Sequence, residues 1–167
     1  RESSEFAPFL NIMNEWYIRD SSRKVTTVLR ARGMEGKHTT NNAIYGYRKS
    51  EEDKNQWVID EEAAEVVRRI YRMSLEGKGP YEIARILSEE QIERPSYYLA
   101  KRGLGTCRSN NNTATPYVWR GATVRDILSK PEYMGHTVNF RSYKESYKDK
   151  RAKRTPKEDW VIFKNTQ

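Results

Sequence analysis

The chain has 167 residues, of which 36% are hydrophobic and 32% charged, so it can build one full domain with a modest core and solvated segments. The net charge of +8 lies at one end, because residues 97–167 hold 15 Lys/Arg against 6 Asp/Glu, whereas residues 1–96 hold 16 against 17. This asymmetry favours an anionic partner, while the lack of an apolar run of ~20 residues excludes a membrane span and the single Cys107 excludes a disulfide framework or a cysteine zinc site.

The first predicted element is a long helix over residues 9–32. Pro8 suits the first turn of a helix, where its missing N–H costs nothing, and Leu10, Met13 and Tyr17 then share one face. About 24 residues at ~1.5 Å each make a rod of roughly 36 Å, longer than a small domain needs. Two interpretations stay open: an ordinary amphipathic helix with a solvated basic side, or a helix that packs on a partner at one end and follows phosphates at the other. The basic residues available for phosphate contacts are Arg23, Lys24, Arg30 and Arg32.

Residues 33–43 are rich in glycine and polar side chains and predict a flexible linker. After it, residues 44–48 and 56–59 are rich in aromatic and β-branched side chains, with a polar stretch between them. This pattern predicts a β-hairpin with a long turn. The expected organisation is therefore a long helix over 1–32, a linker over 33–43 and a compact body over 44–167.

Two helices are predicted next, on either side of a Gly-Lys-Gly-Pro turn at residues 77–80. The first begins after Asp60, a favoured N-cap, and buries a stripe that includes Ile70, whereas the second buries a stripe that includes Ile83. Two helices across a short turn invite a helix-turn-helix interpretation, in which the second helix reads bases. Acidic groups are repelled by phosphates, so a helix that packs and supports is the favoured interpretation. The outward residues that decide this are Glu82, Glu89 and Glu90, against Arg85.

A better candidate for a DNA-reading element is a short helix that follows an irregular, turn-rich insert from Glu93 to Pro116. Gly121 or Thr123 is its expected cap. Pro131 ends it at about Ser129, because the residue before a proline avoids the α region. The residues that we expect in the major groove are Arg120 at the entrance, Arg125 and Lys130, and Thr123 is a further candidate DNA-binding residue.

Two predicted strands, residues 135–141 and 159–164, flank a basic loop. The loop, residues 142–157, holds seven Lys/Arg against Glu145 and Asp149, a net charge of +5. Three helices followed by a hairpin with a basic tip is the order of a winged-helix domain. The expected fold class is therefore α+β, a long N-terminal helix followed by a compact winged-helix-like domain with small antiparallel hairpins. A solvated tip without specific contacts stays an alternative. The candidate DNA-binding residues here are Arg141, Lys150, Arg151, Lys153 and Arg154.

Five segments, in order along nearly the whole chain, resemble one known family. The run from Phe6 to Lys24 resembles the long helix that closes the catalytic domain of large serine recombinases, the site-specific integrases of transposons and phages. The other four resemble the "recombinase" DNA-binding domain of the same proteins. They are Ala43-Ile44-Tyr45-Gly46-Tyr47, the stretch from Gly77 to Ile92 with Ile83-Ala84-Arg85-Ile86-Leu87, Arg94-Pro95, and the stretch from Trp119 to Gly135 with Val124-Arg125-Asp126-Ile127-Leu128.

The resemblance implies a chemistry that this chain does not perform alone. In such recombinases a serine of an N-terminal resolvase-like domain attacks a DNA phosphate, and subunits exchange strands by rotation without ATP or metal in the chemical step. We therefore expect an excised DNA-binding part without catalytic residues, metal or cofactor. Its expected partners are double-stranded DNA at attachment sites and other recombinase subunits, in the bacterial cytoplasm. The resemblance also places the linker across the minor groove, through Gly36, Lys37 and His38.

Two other classes of protein stay open. A winged-helix transcription regulator would bind DNA without catalysis, although the long helix without a partner domain of its own speaks against it. A basic peripheral membrane protein would carry its basic residues opposite an apolar face on one amphipathic helix, whereas here they fall in loops and at a helix entrance. A resolvase-type domain with its serine, encoded upstream of Arg1, would decide between these classes.

Overall fold

The computed structural model describes residues 6–40, 42–104 and 115–164, which belong to two compact units. The unit formed by residues 1–39 and 136–166 is named the hairpin unit, and the unit formed by residues 40–135 the helical unit. Within the described residues, none of the helices combines the length and apolar character that crossing a bilayer requires.

Helix α1, Ala7–Met34, opens the hairpin unit and confirms the predicted long helix, with Pro8 in its first turn. It ends at Met34 rather than at Arg32, and Gly33 is its one buried residue. The apolar stripe of α1 (Leu10, Met13, Trp16 and Tyr17) is about half to two-thirds exposed, between 49% and 68%. Among the residues that the structure describes, none buries this stripe.

The helical unit begins with strands β1, Tyr47–Lys49, and β2, Trp57–Ile59, which pair antiparallel as predicted. Helix α2, Glu61–Leu75, and helix α3, Pro80–Glu89, follow on either side of the predicted Gly/Pro turn. Asp60 stands at the N-cap position of α2, but its carboxylate does not cap the helix. Its Oδ2 instead accepts a hydrogen bond from the hydroxyl of Tyr98 at 3.0 Å.

Helix α4, Pro95–Lys101, lies inside the segment that the sequence predicted to be irregular, and that prediction is wrong over these seven residues. Pro95 occupies the first turn of α4, and Tyr98 is 3% exposed. The ring of Tyr98 packs edge-on against Tyr45, with the ring centroids 5.5 Å apart. Tertiary burial of this aromatic pair therefore stabilises a helix too short to be stable by itself.

Helix α5, Gly121–Leu128, packs on α3 and completes the core of the helical unit. Ile70 of α2, Ile83 and Leu87 of α3, and Val124 of α5 are fully buried at its centre. Burying each such side chain contributes about 1.5–3 kcal/mol. A 3-10 helix over 131–134 follows, and Ser129 ends α5 where Pro131 predicted it.

The predicted cap of α5 is wrong. Arg120 takes the N-cap position with extended backbone angles (φ −116°, ψ 139°), and no side chain caps the helix. Gly121 therefore lies inside the first turn, where it is buried. The chain enters the helix one residue earlier than the cap residues suggested, because Trp119 fixes the entrance through its own hydrogen bonds.

Four short strands complete the hairpin unit: β3, Thr137–Asn139, β4, Ser142–Tyr143, β5, Lys153–Arg154, and β6, Val161–Phe163. Strand β3 pairs antiparallel with β6, and β4 with β5, which confirms the hairpin predicted around the basic loop. Between the two ladders Thr155 N donates to Arg141 O at 2.9 Å, and Phe140 adopts a positive φ of 60°. The hairpin is thus one irregular ribbon that carries its basic residues at the far end.

The first part of the predicted linker, residues 33–39, is joined to strand β3 by hydrogen bonds. The amide of Asn139, which is 2% exposed, donates from Nδ2 to Gly33 O at 3.1 Å and to Lys37 O at 2.9 Å. Its Oδ1 accepts from Thr39 N and Thr39 Oγ1 at 3.4 and 3.1 Å. One buried amide uses both donors and its acceptor to join strand β3 to the end of α1.

Two aromatic rings cover the same segment. A Cβ on Gly33 would lie 2.3 Å from Cζ of Phe140, so only glycine lets that ring lie against the helix backbone. Gly36, with φ +80°, lies under Phe163, and a Cβ there would be 3.3 Å from the ring. The two glycines that the sequence identified as helix-stopping residues are therefore also the places where the hairpin contacts the chain.

Candidate nucleic-acid interface

Helix α5 is oriented by buried contacts at its entrance and along its inner face. Trp119 Nε1 donates to Ile92 O at 2.9 Å, and Trp119 N donates to Ser88 Oγ at 3.0 Å. Val124 and Ile127 are at most 3% exposed. Because these contacts fix the inner face on the core, the outer face of α5 is presented on a rigid support.

The outer face of α5 carries cations without local partners. Arg120 and Arg125 are exposed, Thr123 and Lys130 are half-buried, and the three cations form no salt bridge with any residue that the structure describes. Asp126, also exposed, is the acidic residue of this face. Thr123 and Arg125 thus lie on α5, and Arg120 and Lys130 lie within two residues of its ends.

The other arginines of the helical unit are largely neutralised by neighbouring carboxylates. Arg69 Nη2 donates to Glu90 Oε1 at 2.6 Å, which lowers the pKa of Glu90. Arg85 pairs with Glu89 at 2.9 Å across one turn of α3. The further ion pairs of α2 join Arg68 to Glu61, Arg68 to Glu65, and Arg72 to Glu65. Since paired cations attract phosphates less strongly, α5 is better suited to bind phosphates than α2 or α3.

The basic loop of the hairpin unit contacts α1. Lys148 Nζ and Tyr147 Oη both donate to Glu15 Oε1, at 2.5 and 3.1 Å. These two hydrogen bonds, with the charge of Lys148, hold the pKa of Glu15 below its usual range. This end of the loop therefore makes hydrogen bonds with α1, and whether the tip binds a partner stays a prediction.

The predicted cations of the hairpin divide into three kinds. Lys153 is paired with Glu145 at 2.5 Å. Arg141 lies 4.8 Å from the ring centroid of Trp160 in a cation–π contact that stabilises the ribbon itself. The exposed cations that form no salt bridge with a described residue are Lys150, Arg151 and Arg154.

Some of the predicted cations of α1 and the linker form ion pairs, and the others are exposed. Lys24 pairs with Asp20 at 2.8 Å, and Lys37 pairs with Glu35 at 2.8 Å. Arg32 is exposed in the last turn of α1. Arg23 and Arg30 are exposed and make no ion pair within the part of the chain that the structure describes.

Sequence reasoning missed Asn139, although a signal for it is present. An amide between Val138 and Phe140 in an apolar strand is unusual, because a buried polar group needs partners. Its partners, Gly33, Lys37 and Thr39, lie about a hundred positions away, so nothing local identifies them. Asn139 fixes the segment on which Lys37 stands and is a positioning residue of the candidate interface.

Within residues 6–40, 42–104 and 115–164, no three His, Cys, Asp or Glu side chains come together in a way that could hold a metal ion. Cys107 and Ser109 lie outside the described residues. A small α+β scaffold that presents unpaired arginines on a helix and on a β-ribbon has the character of a nucleic-acid-binding protein.

The comparison with protein families is specific. The Recombinase family model matches residues 61–167, from α2 through α5 to the basic hairpin, and the chain belongs to this family. Its domain is found in large serine recombinases and implies a role in DNA binding and recombination. A catalytic serine resolvase domain is not detected in this chain. No curated protein and no solved structure is found to match it.

Proposed function

We propose that this chain is the sequence-specific, duplex-DNA-binding part of a large serine recombinase that integrates and excises DNA by strand exchange. The observation that carries the proposal is the distribution of unpaired charge. The arginines of α2 and α3 are paired with carboxylates, whereas Arg120 and Arg125 of α5 are exposed and unpaired on a rigid support. The family match supports the same partner.

In the proposed complex, α5 lies in a major groove and Arg125 reads a base. A guanidinium on guanine O6 and N7 is the commonest specific contact in that groove. The hairpin cations Lys150, Arg151 and Arg154 bind phosphates, which fixes the register without reading sequence. Lys37, which Asn139 holds in place through its carbonyl, follows the minor groove.

In the proposed function, this chain binds DNA and performs no catalytic step. A serine nucleophile must be held in line with the phosphate, with cations placed on the developing charge. Ser96 Oγ accepts a hydrogen bond from Arg94 at 2.6 Å, and Ser21 and Ser22 lie half-buried on α1. We expect no covalent adduct on a denaturing gel after incubation with supercoiled DNA that carries paired attachment sites. An adduct lost on mutation of one of these serines would contradict the proposal.

A selection experiment tests sequence-specific binding directly. The chain is incubated with a pool of random duplexes, and the bound fraction is amplified and sequenced over several rounds. Wild-type protein is expected to enrich one motif, and Arg125→Ala to lose the preference for guanine at one position of it. Recovery of duplexes without any common motif would show that the chain does not read sequence.

The proposed parent protein has further partners and a location. We infer other recombinase subunits as partners and the bacterial cytoplasm as the location, because the family acts on intracellular DNA. The reading frame upstream of Arg1 is the test, since a resolvase-type domain with its serine is expected there. A regulatory domain in that position would instead favour a winged-helix transcription regulator.

A further inference from the structure

A cleft of about 460 Å³ lies beside α5, between the first turns of α3 and the entrance of α5. Tyr81, Ala84 and Arg85 of α3 form one wall. The other wall is formed by residues 119–122, which include Arg120. The outward residues of α3 that lie outside this cleft are mostly acidic, so its sequence alone does not predict a DNA contact on this helix.

Tyr81 is the most unusual residue of the cleft, because it is 80% exposed and its ring nevertheless lies against Gly121 of α5. A Cβ on Gly121 would lie 2.6 Å from Cδ1 of Tyr81 and 2.9 Å from Cε1. Only glycine at position 121 therefore allows the ring to rest on the first turn of α5. An exposed aromatic ring held against a rigid backbone is preorganised for contact with a partner.

The floor and the rim of the cleft differ in character. Ala84 and Trp119, 3% and 6% exposed, make an apolar and immobile floor. At the rim Arg120 is unpaired, and Arg85 shares its charge with Glu89 at 2.9 Å, while Glu82 is exposed on the same helix. The unpaired guanidinium of Arg120 and the phenol hydroxyl of Tyr81 are hydrogen-bond donors, and a guanidinium nitrogen cannot accept. The donors complement the oxygens of a phosphate group.

We propose that this cleft holds one phosphodiester of the duplex-DNA backbone, with Arg120 on the phosphate oxygens and the Tyr81 hydroxyl donating to the same group. The proposal rests on the DNA-binding function above and adds α3 to it. A phosphate held at the entrance of α5 fixes how far the helix enters the groove. It thereby sets the base that Arg125 meets.

Titration of the whole chain with a labelled 30-base-pair duplex, at several salt concentrations, tests the assignment. Arg120→Ala is expected to lower the slope of log affinity against log salt by about 0.9, the value for one lost phosphate contact. Tyr81→Phe removes a neutral donor, so it is expected to weaken binding about tenfold without changing the slope. Gly121→Ala is expected to reproduce the effect of Tyr81→Phe, because its Cβ displaces the ring.

Matched controls separate the cleft from general effects of charge and folding. Arg72→Ala removes an exposed arginine of the same unit that is paired with Glu65, and it is expected to change neither affinity nor slope. Tyr97→Phe is the corresponding control for a tyrosine hydroxyl outside the cleft. Because Tyr81 is exposed, Tyr81→Phe keeps the fold even if Gly121→Ala does not, as thermal melting will show.

The possible failures are distinguishable. If wild-type protein binds no duplex DNA, the proposed function fails. If it binds and neither Tyr81→Phe nor Arg120→Ala differs from wild type, the cleft assignment alone is overturned. If Arg120→Ala keeps the salt slope but loses preference for one base, Arg120 reads sequence and the phosphate assignment is wrong. If Tyr81 and Arg120 bind one phosphate, the loss of affinity in the variant that carries both Tyr81→Phe and Arg120→Ala is not the sum of the two single losses, and this result supports the cleft assignment.

Discussion

Replacing Asn139 by alanine should release the segment that joins α1 to the helical unit. The substitution removes the donors to Gly33 O and Lys37 O and the acceptor for Thr39. A buried group left without its partner costs about 1–3 kcal/mol. The contact to Gly33 is buried, whereas the contacts to Lys37 and Thr39 are partly open to water, which replaces part of the loss. The expected loss of stability is therefore about 2–4 kcal/mol in total.

Urea unfolding and amide hydrogen exchange measure this loss. The amides of residues 33–40 should exchange much faster in Asn139→Ala than in wild type, because this segment opens without its hydrogen bonds. Asn14→Ala, on the exposed side of α1, is the control and should stay within about 0.5 kcal/mol of wild type. An equally small change in Asn139→Ala, with unaltered exchange at 33–40, would refute the reasoning.

Asn139→Asp separates the donors from the acceptor. A carboxylate keeps the acceptor for Thr39 but faces the carbonyls of Gly33 and Lys37 without a proton to donate. Burial among acceptors favours the neutral acid, so the folded-state pKa is raised above the unfolded value. A raised carboxyl pKa means that stability relative to wild type is recovered as pH falls and lost as pH rises. A difference from wild type that is constant with pH would contradict this account.

Three further predictions concern DNA and self-association. Affinity for duplex DNA should fall by roughly 10³–10⁵ between 50 and 200 mM salt if about 6–10 phosphates are contacted, and a flat titration would contradict this. Arg125→Ala should cost about 1–3 kcal/mol of discrimination between an enriched site and random DNA. Neutralising the hairpin cations should weaken binding to the enriched site and to random DNA by the same factor. If the hairpin changes alter specificity and Arg125→Ala does not, the hairpin reads the sequence and α5 binds phosphates. The apolar stripe of α1 should associate with another copy, so light scattering should show larger species than for a chain that begins at Lys37. The hairpin cations to be neutralised are Lys150, Arg151, Lys153 and Arg154.

Periodicity predicted the long helices and the hairpins because their patterns repeat over several turns or strand positions. The stripe that includes Ile70 and the one that includes Ile83 are both buried as expected. Helix α4 was not predicted because two turns are too short to show a hydrophobic period. Pro95 in its first turn and Gly103 after its end are nevertheless common signals for the start and the end of a helix. Its stability comes from Tyr98, whose partners Tyr45 and Asp60 are far away in sequence.

The sequence was sufficient to identify the cations of the candidate site, but not to show which of them are paired. The sequence identified Arg120 and Arg125 by their place on a helix, and the structure leaves both exposed. It could not show that Lys153 is paired with Glu145 or that Arg141 stacks on Trp160, because both depend on how the ribbon folds back on itself. The sequence did not identify Tyr81 as a site residue for a similar reason, because its neighbour Gly121 lies on a different helix.

The helical unit is inserted in sequence between the two segments of the hairpin unit, and the hydrogen bond between Thr39 and Asn139 joins the two segments. The chain leaves the hairpin unit at Thr39 and returns at His136, and the 3.1 Å contact between Thr39 Oγ1 and Asn139 Oδ1 closes this excursion. Closing a flexible loop of about a hundred residues costs roughly 4 kcal/mol of entropy. A helical unit that folds first would shorten the effective loop, so we infer that it assembles before the hairpin unit closes. The same closure makes residues 40–135 exchangeable as a cassette: a short glycine-rich bridge from Thr39 to His136 would leave the two ends of the hairpin unit within reach of each other.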